Sequence, residues 1–130
     1  MRNQKIFAVL SLGSAFLWTE VAKAQEDLLA RGENQFEQTC KQCHSFESGV
    51  NRIGPTLHGV IGRKAGGVES FSYSEAMTNA DVTWNNETIR EFIATPDEYI
   101  PGNKMPFTGT PEEPDRQAIA AYIEEQAGGD

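Results

Sequence analysis

The chain of 130 residues is poor in several things, and each shortage excludes a class of protein. It has two cysteines and two histidines. That rules out a small secreted scaffold stapled by several disulfides. Its apolar stretch from Ile6 to Leu17 falls short of the roughly 20 residues that a membrane-spanning helix needs. Basic residues are scarce, with 11 Lys and Arg against 19 Asp and Glu, a net charge of −8. A surface so acidic argues against nucleic acid and against an anionic membrane as partner. No segment alternates apolar and polar residues convincingly enough for a strand, and no internal repeat or second domain is visible.

What is present centres on Cys40-Lys41-Gln42-Cys43-His44. Thiols at this spacing can reach two neighbouring vinyl groups of one haem and form thioethers. The histidine that follows places its imidazole under the porphyrin, where iron needs an axial ligand. This is the attachment signature of c-type haem. A thioredoxin-like dithiol would sit in a βαβ pattern, which the chain lacks, and half of a zinc site would need a second Cys/His pair. A disulfide closing so short a loop would restrain little of the unfolded chain.

The first residues have the form of an export signal. Arg2 and Lys5 precede the apolar run, and Ala22-Lys23-Ala24 supplies a cleavage site. The expected division is a signal peptide over 1–24, cleaved after Ala24, and one domain over 25–130. Export to the periplasm suits haem attachment outside the cytoplasm. Cleavage would remove Arg2, Lys5 and Lys23 against Glu20, leaving a still more acidic protein. Residues 38–64 run the other way, with Lys41, Arg52, Arg63 and Lys64 against Glu47, which predicts a dipole whose positive end lies near the haem. A domain this small has a thin core. Covalently held haem would fill its middle, and the haem-free chain should be largely unfolded.

The elements read as all-α. Leu28, Gly32 and Phe36 share one face of a helix over 27–39 that delivers Cys40 at its end. Gly32 weakens that helix, so a close approach by another helix is its expected reason. Residues 46–67 are rich in glycine but interleaved with Ile53, Leu57, Val60 and Ile61, which predicts an ordered loop able to wrap a flat ligand. Short helices are expected near 74–79 and 97–101. A longer one begins at Asn85 or Asn86 as N-cap, buries Ile89, Phe92 and Ile93, and ends at Pro96. Thr110-Pro111-Glu112-Glu113 has the pattern of a capping box for a last helix. Ile119, Tyr122 and Ile123 form its buried stripe, and Gly128-Gly129 closes it.

Beyond the possible cleaved segment the methionines are Met77 and Met105. Met105 lies in Tyr99-Ile100-Pro101-Gly102-Asn103-Lys104-Met105-Pro106-Phe107, a stiff non-helical loop suited to holding a thioether against a metal. With the haem motif, Gly54-Pro55-Thr56-Leu57-His58-Gly59, Gly62-Arg63-Lys64-Ala65-Gly66, Phe71-Ser72-Tyr73 and Thr83-Trp84, the sequence resembles the class I c-type cytochromes, of the mitochondrial and bacterial periplasmic type. The resemblance implies the cytochrome c fold, in which N- and C-terminal helices cross and short helices and loops wrap one haem c.

It further implies that Cys40 and Cys43 bind the haem, that His44 and Met105 ligate the iron, and that the Pro55 carbonyl fixes the His44 ring. Arg63, Tyr73 and Trp84 would bond around the propionates, His58 would tie loops together, and Gly32 and Phe36 would meet the last helix near Tyr122. Three departures stand out. Phe92 replaces a common tyrosine and Met77 a common asparagine, so a retuned potential is expected. Asp97, Glu112 and Glu113 interrupt the usual lysine ring, so a more apolar docking face around Pro106 and Phe107 is expected.

The implied function is a soluble, monomeric, periplasmic one-electron carrier, not an enzyme, serving transient redox partners on membrane complexes. A haem enzyme or gas sensor would need an open or easily displaced sixth ligand. A module merely stapled by haem would need no tuned potential. Donor and acceptor are not legible in the sequence.

Overall fold

The computed structural model describes residues 13–127. Arg2, Lys5 and the start of the apolar run lie outside the described residues, as do Gly128 and Gly129. Among the described residues five helices follow in order: α1 Gly13–Thr39, α2 Glu75–Asn79, α3 Asn86–Ala94, α4 Pro96–Tyr99 and α5 Glu113–Ala127. Among the described residues the extended pairing amounts to an isolated bridge between Lys64 and Thr83.

The first helix is longer than the period-based range of 27–39, running unbroken through Ala22-Lys23-Ala24. Alanine, leucine, lysine and glutamate in that stretch are good helix formers, so local propensity continues the helix where no packing requires it. Its outer part is solvated, with Phe16, Leu17, Trp18 and Val21 each at least 65% exposed. The inner part packs on α5. Gly32 is the contact point: a methyl there would run into the Ala118 carbonyl oxygen and approach Tyr122 Cβ to 2.7 Å. Arg31 closes one end of the crossing by pairing with Asp115 at 2.7 Å.

The α3 helix is capped as its sequence suggests, with Asn85 accepting from the Thr88 N–H and the Thr88 hydroxyl accepting from the Asn85 N–H, both at 2.9 Å. Ile89, Phe92 and Ile93 are its buried side chains. Pro96 does not merely end α3; it is fully buried and opens α4. The start of α5 corrects the sequence reading. Thr110 is no N-cap, because its N–H donates to the Ile93 carbonyl (2.8 Å) and its own carbonyl accepts from Arg116 (2.8 Å). The helix therefore begins at Glu113, with Pro114 tolerated in the first turn, where its missing N–H costs nothing. Ile119 and Ile123 are buried as expected, while Tyr122 is half-buried; Ala118, Ala120 and Ala127 join the buried face.

Candidate functional site

The helical path of α1 ends in a tightened turn. Cys40 and Lys41 both donate to the Phe36 carbonyl, and Cys43 and His44 both donate to the Cys40 carbonyl at 3.1 and 3.0 Å. That turn places both thiols, half-buried, on the wall of one large cavity, with His44 beside them. Burial pushes the Cys40 thiol up from its ordinary value. It also pulls the His44 imidazole down, although the bond to Pro55 opposes this. A neutral imidazole keeps a lone pair for a metal.

The His44 ring is held from two sides. Its Nδ1–H donates to the Pro55 carbonyl at 2.8 Å, which leaves Nε2 as the free donor atom. Gly54 lies flat against the ring: a methyl on its Cα would meet Nδ1 at 2.8 Å and Cε1 more closely still. The Gly54 N–H in turn donates to the Cys43 carbonyl at 2.8 Å. Gly54 was quoted in the sequence as part of a motif, but its reason is this face-on contact.

The cavity measures about 400 Å³ and is walled mainly by carbon. Its apolar lining includes Leu57, Val60, Ile89, Phe92, Ile119 and Ile123. Met105 enters the same cavity from the loop after α4. Asn103 braces that loop, a role the sequence did not reveal because its partners come from α4 and the residue after it. The Asn103 Nδ2 donates to the carbonyls of Pro96 (3.0 Å) and Ile100 (2.9 Å), and its Oδ1 accepts from the Met105 N–H (2.9 Å). Lys104 places its ammonium 5.3 Å from the Phe71 ring centre, joining this loop to the opposite one.

Arg63, Tyr73 and Trp84 also line the cavity. The Arg63 guanidinium is half-buried and donates to the carbonyls of Thr56 (2.8 Å) and His58 (3.1 Å). Burial lowers its pKa, and no ion pair to it forms among the described residues. Tyr73 Oη accepts from the Val68 N–H at 3.2 Å, leaving its own proton to donate. Trp84 is buried with its ring 5.1 Å from that of Phe92. His58 ties its loop through the backbone, its carbonyl accepting from Arg63 at 3.1 Å and its N–H donating to the Thr56 hydroxyl at 3.1 Å.

These side chains fit a c-type haem: two thiols and a nitrogen donor on one turn, a thioether on a braced loop, apolar walls, and a half-buried cation with no salt bridge among the described residues. Among the described residues no cluster of three or more His, Cys, Asp or Glu could hold a bare metal ion.

Comparison with known proteins gives the same family. The profile of the family described as "Cytochrome C oxidase, cbb3-type, subunit III" matches residues 27–123. Cytochrome c type-1 of Ascaris suum is 46% identical over 95 residues, covering 73% of this chain and 85% of that protein. Cytochrome c of Gibberella zeae is 43% identical over 98 residues, covering 75% and 92%. Cytochrome c of Euglena viridis is 44% identical over 93 residues, covering 72% and 91%. The chain therefore belongs to the cytochrome c family: it is a class I c-type cytochrome with the cytochrome c fold and one covalently bound haem c.

Proposed function

We propose that the protein is a periplasmic one-electron carrier in which Cys40 and Cys43 would hold the haem by thioethers and His44 and Met105 would ligate its iron. The observation that carries this reading is that all four side chains line one apolar cavity. Bound haem c supplies a one-electron couple. The chain supplies what makes that couple useful for transfer alone. His44, fixed by Pro55, and Met105, braced by Asn103, would leave no place for a substrate. A thioether ligand and apolar surroundings both favour the ferrous form, because the ferric centre carries one more positive charge. Arg63, Tyr73 and Trp84 would meet the propionates, with Arg63 supplying the compensating charge.

The matched family profile carries the name of an oxidase subunit, whereas the relatives are cytochromes c that this chain covers over 85–92% of their length. The latter favours a free carrier with transient partners over a domain of a fixed complex. Among the described residues no helix is long and apolar enough to cross a membrane. The periplasmic site rests on Arg2, Lys5, the apolar run and the Ala22-Lys23-Ala24 sequence. N-terminal sequencing of holoprotein from a periplasmic fraction should begin at Gln25; an intact Met1 would refute cleavage.

The central test is the optical spectrum of the holoprotein, oxidised and reduced, with and without carbon monoxide. The carrier predicts a ferric thioether-to-iron band in the far red, sharp reduced bands and no response to carbon monoxide. Rapid carbon monoxide binding with no such band would instead mean an open site and a sensor or enzyme.

A further inference from the structure

A second thioether faces the same cavity. Met77, in α2, lines it together with Met105 and packs half-buried against the apolar core. Two soft sulfur donors thus line one chamber of about 400 Å³, and the mechanism above uses one of them. We infer that Met77 is a reserve axial ligand, which takes the iron when Met105 leaves. This inference rests on the assignment of His44 and Met105 as the resident pair.

Preorganisation decides which sulfur is resident. Met105 is held by its own N–H on Asn103, and Asn103 is held on two carbonyls, so its loop loses little freedom on binding. Met77 is held more loosely. Its helix has five residues, none of them buried, and is fixed by the Ser74 cap on the Met77 N–H at 3.1 Å and by the Thr78 hydroxyl on the Ser74 carbonyl at 3.1 Å. No residue of this short helix is fully buried, and Ala76 and Met77 pack partly buried against the core. The side chain itself has three rotatable bonds and a polarizable sulfur suited to adapting to a new contact. Gly66 runs against α2 in a left-handed conformation at φ 73°, where a methyl would come within 2.9 Å of Thr78 Cα, so the two backbones lie in close contact, and the Met77 side chain lines the cavity.

The exchange is simple in its chemistry. Met77 would offer a sulfur lone pair to the iron in place of the departed Met105 sulfur, and neither an electron nor a proton would move. Its consequence is protective. Opening of the Met105 loop would otherwise expose a coordination site to small ligands and peroxides, and Met77 would keep the protein a carrier through such excursions.

Three holoprotein variants test this: Met105→Ala, Met77→Leu and the double variant, each read by the ferric thioether band and by carbon monoxide binding to the reduced form. The expected result is that Met77→Leu keeps the band, Met105→Ala keeps a thioether band of altered intensity, and the double variant loses it. If Met77 occupies the iron nine-tenths of the time in Met105→Ala, carbon monoxide affinity should rise about tenfold on adding Met77→Leu. Identical spectra and affinities for Met105→Ala and the double variant, with the band intact in Met77→Leu, would overturn the reserve role while leaving Met105 resident. Loss of the band in Met77→Leu alone would overturn the assignment of Met105 as well.

Discussion

Arg63 is the charge whose removal should be felt most directly at the haem. It is half-buried, both its recorded hydrogen bonds go to backbone carbonyls, and no carboxylate of the described chain offsets it. A fixed positive charge on the cavity wall disfavours the ferric state, so Arg63→Gln should lower the midpoint potential. With the effective dielectric of a partly buried site, the shift should be on the order of tens of millivolts. Arg63→Lys serves as the control, because it keeps the charge while losing the planar two-carbonyl grip. Spectroelectrochemistry separates the cases: a drop in Gln but not in Lys points to charge, and an equal drop in both points to a loosened loop. An unchanged potential in both would refute the electrostatic role.

At the scale of elements, the joint between α1 and α5 is the most extensive helix contact among the described residues, and Gly32 lies in it. Gly32→Ala would raise helix propensity slightly, yet the new methyl has nowhere to go between the Ala118 carbonyl and Tyr122. Overpacking should win, with a loss of about 3 kcal/mol, seen as a lower denaturant midpoint at unchanged slope. A neutral or stabilising outcome would mean that the helices separate readily. This contact was legible in the sequence because a glycine on an otherwise apolar helical face needs a partner, and periodicity finds such faces. The α3 cap and the thiol turn were legible for similar local reasons. Less local features were not. Thr110 has the sequence of a cap, but a carbonyl from α3 claims its N–H, and only tertiary structure brings Ile93 there. Asn103 looks like any loop asparagine until its amide is seen spanning α4 and Met105. The outer turns of α1 went unread because they have propensity without a packed face.

On the scale of the whole molecule, one of the four cations behind the expected dipole is paired, Lys41 with Glu37 at 2.7 Å, while no salt bridge reaches Arg52, Arg63 or Lys64 among the described residues. Exposed pairs of this kind contribute little to stability, which turns attention to the interior. There, core and cavity wall are largely the same residues: Val60, Trp84, Ile89, Phe92, Ile119 and Ile123 belong to both. A chain that folded without haem would have to leave about 400 Å³ between them as water or void. At the cost found for empty core space, that volume corresponds to at most about 10 kcal/mol, and water entering it would reduce the figure. Even half of that is comparable to the whole stability of a small domain, about 5–15 kcal/mol. Cys40→Ala/Cys43→Ala, which cannot anchor haem covalently, should therefore show little helical circular dichroism and no cooperative thermal transition when purified free of haem. Retained helicity with a sharp transition would show that the loops collapse into the cavity and that the protein scaffold, not the haem, organises the fold.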